Sequence, residues 1–316
     1  MKGLELSKKF FYECGRPAIE QKLPHLMRLL AFGLAGEGSE CFGYDDMLSR
    51  DHDFEPGFCI FTPEPDGRTD FTRKDFFELE RVYSYLPREF EGVPRLTLLP
   101  VGGSRHGVMS VGDFYRKNIG RADVFDSLEE WFALPEHYLA QATNGEVFED
   151  NLGDFTRIRN SLLNMPGDVR KKKLAGDLLL AAQAGNYNYT RCIGHGQTAA
   201  AQLSVFDFTK HVTNVMFELC GRYAPFYKWR FRALSDLPGF CSLCDMLEFI
   251  ISSQNDGEYP KIKTQVIGDI FKEVMKEIKN RGLSSADAPD VAAYEINSGI
   301  EDEKIRNMDI LAAAEE

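Results

Sequence analysis

The stretch Gly38-Ser39-Glu40-Cys41-Phe42-Gly43-Tyr44-Asp45-Asp46-Met47-Leu48-Ser49-Arg50-Asp51-His52-Asp53 decides how the chain is read. A Gly-Ser pair is followed, after 11 intervening residues, by Asp-His-Asp. On a strand, residues i and i+2 share a face, so Asp51 and Asp53 would stand side by side with His52 turned away. Two adjacent carboxylates repel unless a cation lies between them. A hard cation such as Mg²⁺ takes oxygen ligands, commonly one or two carboxylates with waters and phosphate oxygens. The glycine lets the backbone approach a phosphate, and the Ser39 hydroxyl can donate to it. A helix starting there would add positive dipole character. The competing reading is structural, since Asp-x-Asp also occurs at helix caps and in surface charge clusters.

Leu29 to Ala35 is a short apolar run that reads as a buried strand feeding Gly36-Glu37-Gly38-Ser39. Ser7 to Leu23 reads as helical, broken by Gly15 and Pro17. Strands are expected at Phe58–Thr62, Pro94–Val101 and Val108–Val111, and a helix at Arg73–Tyr85, stopped by Pro87. From Trp131 onward the apolar periodicity is helical. Arg170–Ala184, Gln197–Cys220, Leu243–Ile251 and Val266–Ile278 are the expected helices. The fold expected is α+β: a mixed sheet with flanking helices over 1–135, a helical bundle over 136–282, and an acidic tail over 283–316.

The chain has 316 residues, 43% of them hydrophobic, enough for two ordinary cores. No apolar run reaches the roughly 20 residues of a membrane span, and the first residues lack a signal-peptide pattern. A cytoplasmic protein with no membrane partner is expected. The formal net charge is -12, and the tail from Leu283 holds nine acids against two bases. That balance argues against a nucleic-acid scaffold, which needs a basic face. Seven scattered cysteines do not suggest a disulfide framework. Cys241 and Cys244 have CxxC spacing without a second ligand pair, and read as two half-buried thiols on a helix rather than a metal or redox site.

An apolar strand, Gly-Ser, about a dozen residues and Asp-x-Asp together resemble the polymerase-beta-like nucleotidyltransferase superfamily, including its kanamycin-nucleotidyltransferase-like members. The wording is closer still to a bacterial family of unknown function whose members are predicted nucleotidyltransferases. That closer resemblance rests on Gly38–Cys41, Gly43–Asp46, Ser49–Asp53, Asn144-Gly145-Glu146-Val147-Phe148, Tyr187-Asn188-Tyr189-Thr190-Arg191 and Arg222–Trp229. It implies that Gly38 and Ser39 hold a nucleoside triphosphate and that Asp51 and Asp53 ligate Mg²⁺ or Mn²⁺. It also implies a third acid on a later strand. Val108-Met109-Ser110-Val111, the strand best placed, contains no carboxylate. Asp113 lies just beyond it, and Asp45, Asp46 and Glu146 are the other candidates.

Tyr223 to Arg232 interleaves aromatics with cations. Lys228 would reach phosphates, and Tyr227 or Trp229 would stack on a base. The structural alternative is a helix junction with snorkelling bases. Arg191 would bind phosphate or an acidic group, or else pair within the bundle. Arg170-Lys171-Lys172-Lys173 reads as a solvated helix start. The expected activity moves a nucleoside monophosphate from a triphosphate, ATP first, to an unidentified small-molecule or protein acceptor. The alternatives are a non-catalytic nucleotide-binding or regulatory module and a small-molecule kinase; the absence of a P-loop lysine counts against the kinase.

Overall fold

A computed structural model describes residues 1–48, 54–95 and 105–314. The chain is α+β, as its pattern predicts. It divides into two compact units that are discontinuous in sequence. The first takes Met1–Asp126 and Tyr138–Asn164; the second takes Ser127–His137 and Met165–Glu316.

The first unit is built on four strands: β1 (Ala31–Leu34), β2 (Cys59–Thr62), β3 (Gly107–Ser110) and β4 (Glu146–Asp150). Their spatial order is β3-β2-β1-β4. Every residue of β1 and β2 is buried, whereas β3 is buried only at its ends and β4 is half-buried throughout. That is the pattern of two central strands between two edges. β1 runs antiparallel to β2 and β4, and β2 runs parallel to β3. The helical reading of everything after Trp131 needs correction here. Glu136–Thr143 is a helix, but Glu146-Val147-Phe148-Glu149-Asp150 returns to pair with β1, and the helix Asp154–Leu163 follows within the first unit. A five-residue edge strand carries little local signal, and its partner lies far back in the sequence.

Helices cover this sheet. Gly3–Phe10 continues through a π-helical turn, Phe11–Gly15, into Arg16–Lys22. Pro17 therefore bends the register of the helix without ending it; it sits in the first turn of the resumed helix, where a missing N–H matters least. Phe10, Phe11, Phe32, Phe58, Ile60 and Leu79 form the centre of the core, and each such side chain stabilises by about 1.5–3 kcal/mol on burial. The helix Arg73–Ser84 follows its expected bounds closely and begins with a capping box between Thr72 and Asp75. Val111 opens the helix Val111–Ile119 and does not extend β3. Val93–Pro94 pairs with Glu89–Phe90 in a short hairpin; of the strand expected over Pro94–Val101, Arg95 is not in a strand and residues 96–101 lie outside the described residues.

The second unit is helical. Gly167–Ala182, Thr198–Leu219, Tyr259–Asn280 and Pro289–Ser298 are its longer helices. Gly167–Ala182 lies at the centre, with Leu174, Leu178, Ala181 and Ala182 buried as the periodicity predicts. The solvated reading of its basic run is overturned at two positions: Lys172 and Lys173 are 0% and 2% exposed. Lys172 Nζ donates to Asn297 Oδ1 (2.8 Å), the Arg306 carbonyl (3.3 Å) and the Met308 carbonyl (2.6 Å). Lys173 pairs with buried Glu136 at 3.8 Å. The acidic tail is not a loose appendage: Pro289–Ser298 and Glu303–Asn307 belong to the second unit and bury Ala292, Ala293, Ile296, Ile300 and Ile305. Among the described residues no helix is long and apolar enough to cross a membrane.

Candidate functional site

Register determines what gathers at each end of the sheet. Gly33 faces Cys59 across the antiparallel pair, so the chain leaving β1 lies beside the chain entering β2. Cys59 is level with Gly107 in the parallel pair, and Leu34 is level with Glu146. One end therefore collects the turn Ala35–Gly38, the segment entering β2, Arg105-His106 and Asn144–Glu146. Asp51 and Asp53 lie outside the described residues; the segment they lead into, from Phe54 onward, arrives at this same end.

The turn is built for close backbone approach. Gly36 and Gly38 have φ of 108° and 122°, in the region that L side chains avoid. Asn144 clamps it: the Gly36 amide donates to Asn144 Oδ1, and Asn144 Nδ2 donates to the Gly36 carbonyl, each at 2.8 Å. Arg159 donates to the carbonyls of Asn144 (2.6 Å) and Gly145 (3.2 Å). Gly145 has φ 66°, and a Cβ there would run into the Leu34 carbonyl. Ser39, buried, opens the helix Ser39–Phe42, with Gly38 as its N-cap. Four residues carry little macrodipole, so the turn's own amides and the Ser39 hydroxyl are the groups available to an anion.

A cavity of about 400 Å³ opens beside the turn. Ala35, Gly36 and Glu37 form one wall; Val108, Met109 and Phe114 supply apolar lining. Its charged groups are Glu37, Arg105, Asp113 and Lys117. Lys117 pairs with Glu37 at 3.5 Å, and Arg105 with Glu40 at 3.9 Å. The Glu40 carboxylate lies against Gly38. His106 Nδ1 is 3.2 Å from Glu55 Oε1.

The third-acid candidates are dispersed. Asp113 is in the first turn of Val111–Ile119, exposed and paired with Arg116, and lines the cavity beside the glycine turn. Asp45 is buried and accepts from the Gly3 amide at 2.9 Å, anchoring the first helix. Asp46 accepts from the Leu48 amide at 3.0 Å, and Glu146 pairs with Lys8 at 2.5 Å. β3 itself carries no carboxylate. Among the described residues no group of three His, Cys, Asp or Glu side chains could hold a metal. The sequence reading did not single out Lys117, Arg105 or Arg159, nor the clamping role of Asn144. Asn-Gly is a turn signal, and Asn144–Phe148 is among the stretches that carry the family resemblance, but neither points to a clamp on Gly36.

Within the second unit, Lys228 Nζ and the Arg232 guanidinium lie 5.0 and 5.7 Å from the Trp229 ring. Tyr227 is exposed and packs 4.4 Å from Phe226. Arg230 turns inward, donating to Asn214 Oδ1 (2.8 Å), Thr213 Oγ1 (3.1 Å) and the Lys210 carbonyl (3.1 Å). Asn214 in turn donates to Asp177 at 3.0 Å, and His211 Nδ1 is 2.6 Å from the same oxygen. Arg191 is exposed, 5.7 Å from the Tyr187 ring, and donates to the Tyr187 hydroxyl at 3.2 Å. Tyr189 is buried and donates to Asn255 at 3.1 Å; desolvation pushes its phenol up to about 12.

A family model described as a domain of unknown function, DUF4037, matches residues 131–230. The match is under half of the chain. It contains Asn144, Arg191, Tyr227 and Lys228, and it does not contain the glycine turn or Asp51 and Asp53. No curated protein and no solved structure matches the chain.

Proposed function

We propose that the chain is a Mg²⁺-dependent nucleotidyltransferase moving a nucleoside monophosphate from a triphosphate, ATP first, to a small-molecule or protein acceptor. The observation that carries this reading is the sheet end where the Asn144-clamped glycine turn lies beside the segment entering β2 from Asp51 and Asp53. Asp51 and Asp53 offer the hard oxygen donors that Mg²⁺ or Mn²⁺ needs. When bound, the metal would neutralise phosphate charge and align the phosphates for in-line displacement. The Gly36–Gly38 amides and Ser39 would bind the phosphates. Arg105 and Lys117, the cations of the adjoining cavity, would move from Glu40 and Glu37 to offset the charge of departing pyrophosphate. Asp113 is the cavity acid on which an acceptor proton would rest.

The second reading is a non-catalytic nucleotide-binding or regulatory module. Two observations favour it: β3 carries no carboxylate, and the Glu40 carboxylate occupies space against Gly38. Thermal unfolding of the wild type and of Asp51→Asn/Asp53→Asn, with each nucleoside triphosphate and with or without Mg²⁺, tests nucleotide binding. The expected result is a Mg²⁺-dependent rise in the wild type that the variant lacks. No rise with any nucleotide in a folded protein would sink the transferase reading and favour a regulatory module that binds no nucleotide. A rise without pyrophosphate release across an acceptor panel selects the module. Once turnover is found, either single Asn variant should lose several orders of magnitude in rate.

A further inference from the structure

The CxxC pair sits in a different setting from the one its sequence suggests. Cys241–Leu243 forms a single 3₁₀ turn, and Cys244 opens the helix Cys244–Ser252. The Cys244 amide donates to the Cys241 carbonyl. A turn closed by that bond holds its first and fourth Cα atoms within about 7 Å. Three residues per turn bring side chains i and i+3 into line. A disulfide needs Cα atoms about 4.4–6.8 Å apart, so the backbone is already arranged for one. The two thiols are unequal: among the described cysteines Cys241 alone is exposed, whereas Cys244 is buried. Cys244 Sγ lies 3.6 Å from Ser235 Oγ. This is the division of an entering and a resolving thiol.

We propose that Cys241 and Cys244 form a reversible dithiol–disulfide site that exchanges with low-molecular-weight disulfides of the glutathione class. The Cys241 thiolate attacks one sulfur of oxidised glutathione. A mixed disulfide forms and one glutathione thiolate leaves, taking up the proton that Cys241 released. The Cys244 thiolate then attacks Cys241 Sγ, closing the ring and expelling the second glutathione, which takes the Cys244 proton. Two protein thiols are oxidised by two electrons, and one glutathione disulfide is reduced to two thiols. Closure withdraws Cys244 Sγ from Ser235, the last residue of the helix Tyr227–Ser235 that carries Lys228 and Arg232.

The test incubates the full chain with oxidised glutathione, alkylates the remaining thiols, and maps peptides by mass without reduction. In the wild type, the peptide holding both cysteines should lose two hydrogens, and reduced glutathione should restore them. Cys244→Ser should keep one glutathione on Cys241, and Cys241→Ser should form neither product on this peptide. Circular dichroism checks that the variants are folded, and the wild-type result stands without them. The proposal is overturned by a wild type that remains fully alkylated at both positions, or that keeps glutathione on Cys241 without closing the ring.

Discussion

Asn144 is the residue on which the candidate site depends most directly. Its amide meets both backbone groups of Gly36, and each hydrogen bond contributes about 0.5–1.5 kcal/mol net. Asn144→Ala should therefore cost about 1–3 kcal/mol in urea unfolding. Asn144→Asp should also be destabilised, because it sets an acceptor against the Gly36 carbonyl. If the turn is the phosphate cradle, both variants should lose more of the nucleotide-induced rise in melting temperature than their stability loss explains. An Asn144→Ala variant with unchanged stability and nucleotide response would remove the clamp from the argument. Gly145 is the harsher position, since any side chain there meets the Leu34 carbonyl at a strained φ. These roles were hidden in the sequence because Asn144 and Gly36 meet across the sheet. The Gly-Ser pair, by contrast, was legible because its neighbours in the chain are also its neighbours in space.

Among the elements, the helix Arg73–Ser84 shows how local signals can suffice. Thr72 accepts from the Asp75 amide at 3.3 Å, and Asp75 accepts from the Thr72 amide (2.8 Å) and hydroxyl (2.6 Å). The Thr72 hydroxyl, helped by the Thr72 amide and His25 and opposed by burial, holds the Asp75 carboxyl below its ordinary 3.8. A lowered acid pKa stabilises the fold above the unfolded value, and that contribution is lost as pH falls through the folded value. Thr72→Ala should cost about 1 kcal/mol at neutral pH, and the gap from wild type should narrow as pH falls below 3.8. A gap that widens on acidification would show that Asp75 does not act through Thr72. β4 is the opposite case. Its five half-buried residues exist as a strand because β1 offers them an edge, and periodicity cannot report an edge.

Across the whole chain, the second unit is tied together by charges that its sequence suggests are solvated. Desolvation holds the Lys172 amine below its ordinary 10.5, with no carboxylate bonded to it. Its donors go to Asn297 and to the carbonyls of Arg306 and Met308, so it fastens the tail to the central helix. Removing residues 283–316 would uncover apolar surface and leave Lys172 donors unmet. We expect a markedly lower melting temperature for the truncated chain, with Lys172→Met reproducing part of the loss. An unchanged melt on truncation would mean that the tail only rests on the unit.

Composition and periodicity by themselves determined the α+β class and the bounds, to within a few residues, of the helices Arg73–Ser84, Gly167–Ala182, Thr198–Leu219 and Cys244–Ser252. Each depends on neighbours within a few residues, where spacing dictates which side chains share a face. Tertiary structure decided the rest: the return of Glu146–Asp150 to the sheet, the clamp on Gly36, the burial of Lys172 and Lys173, and the placement of Asp113 in the cavity beside the glycine turn. Those features arise from pairing between distant segments. A strand edge, a desolvated amine or a shared sheet end is a property of what surrounds a residue, and that environment exists only once the chain has folded.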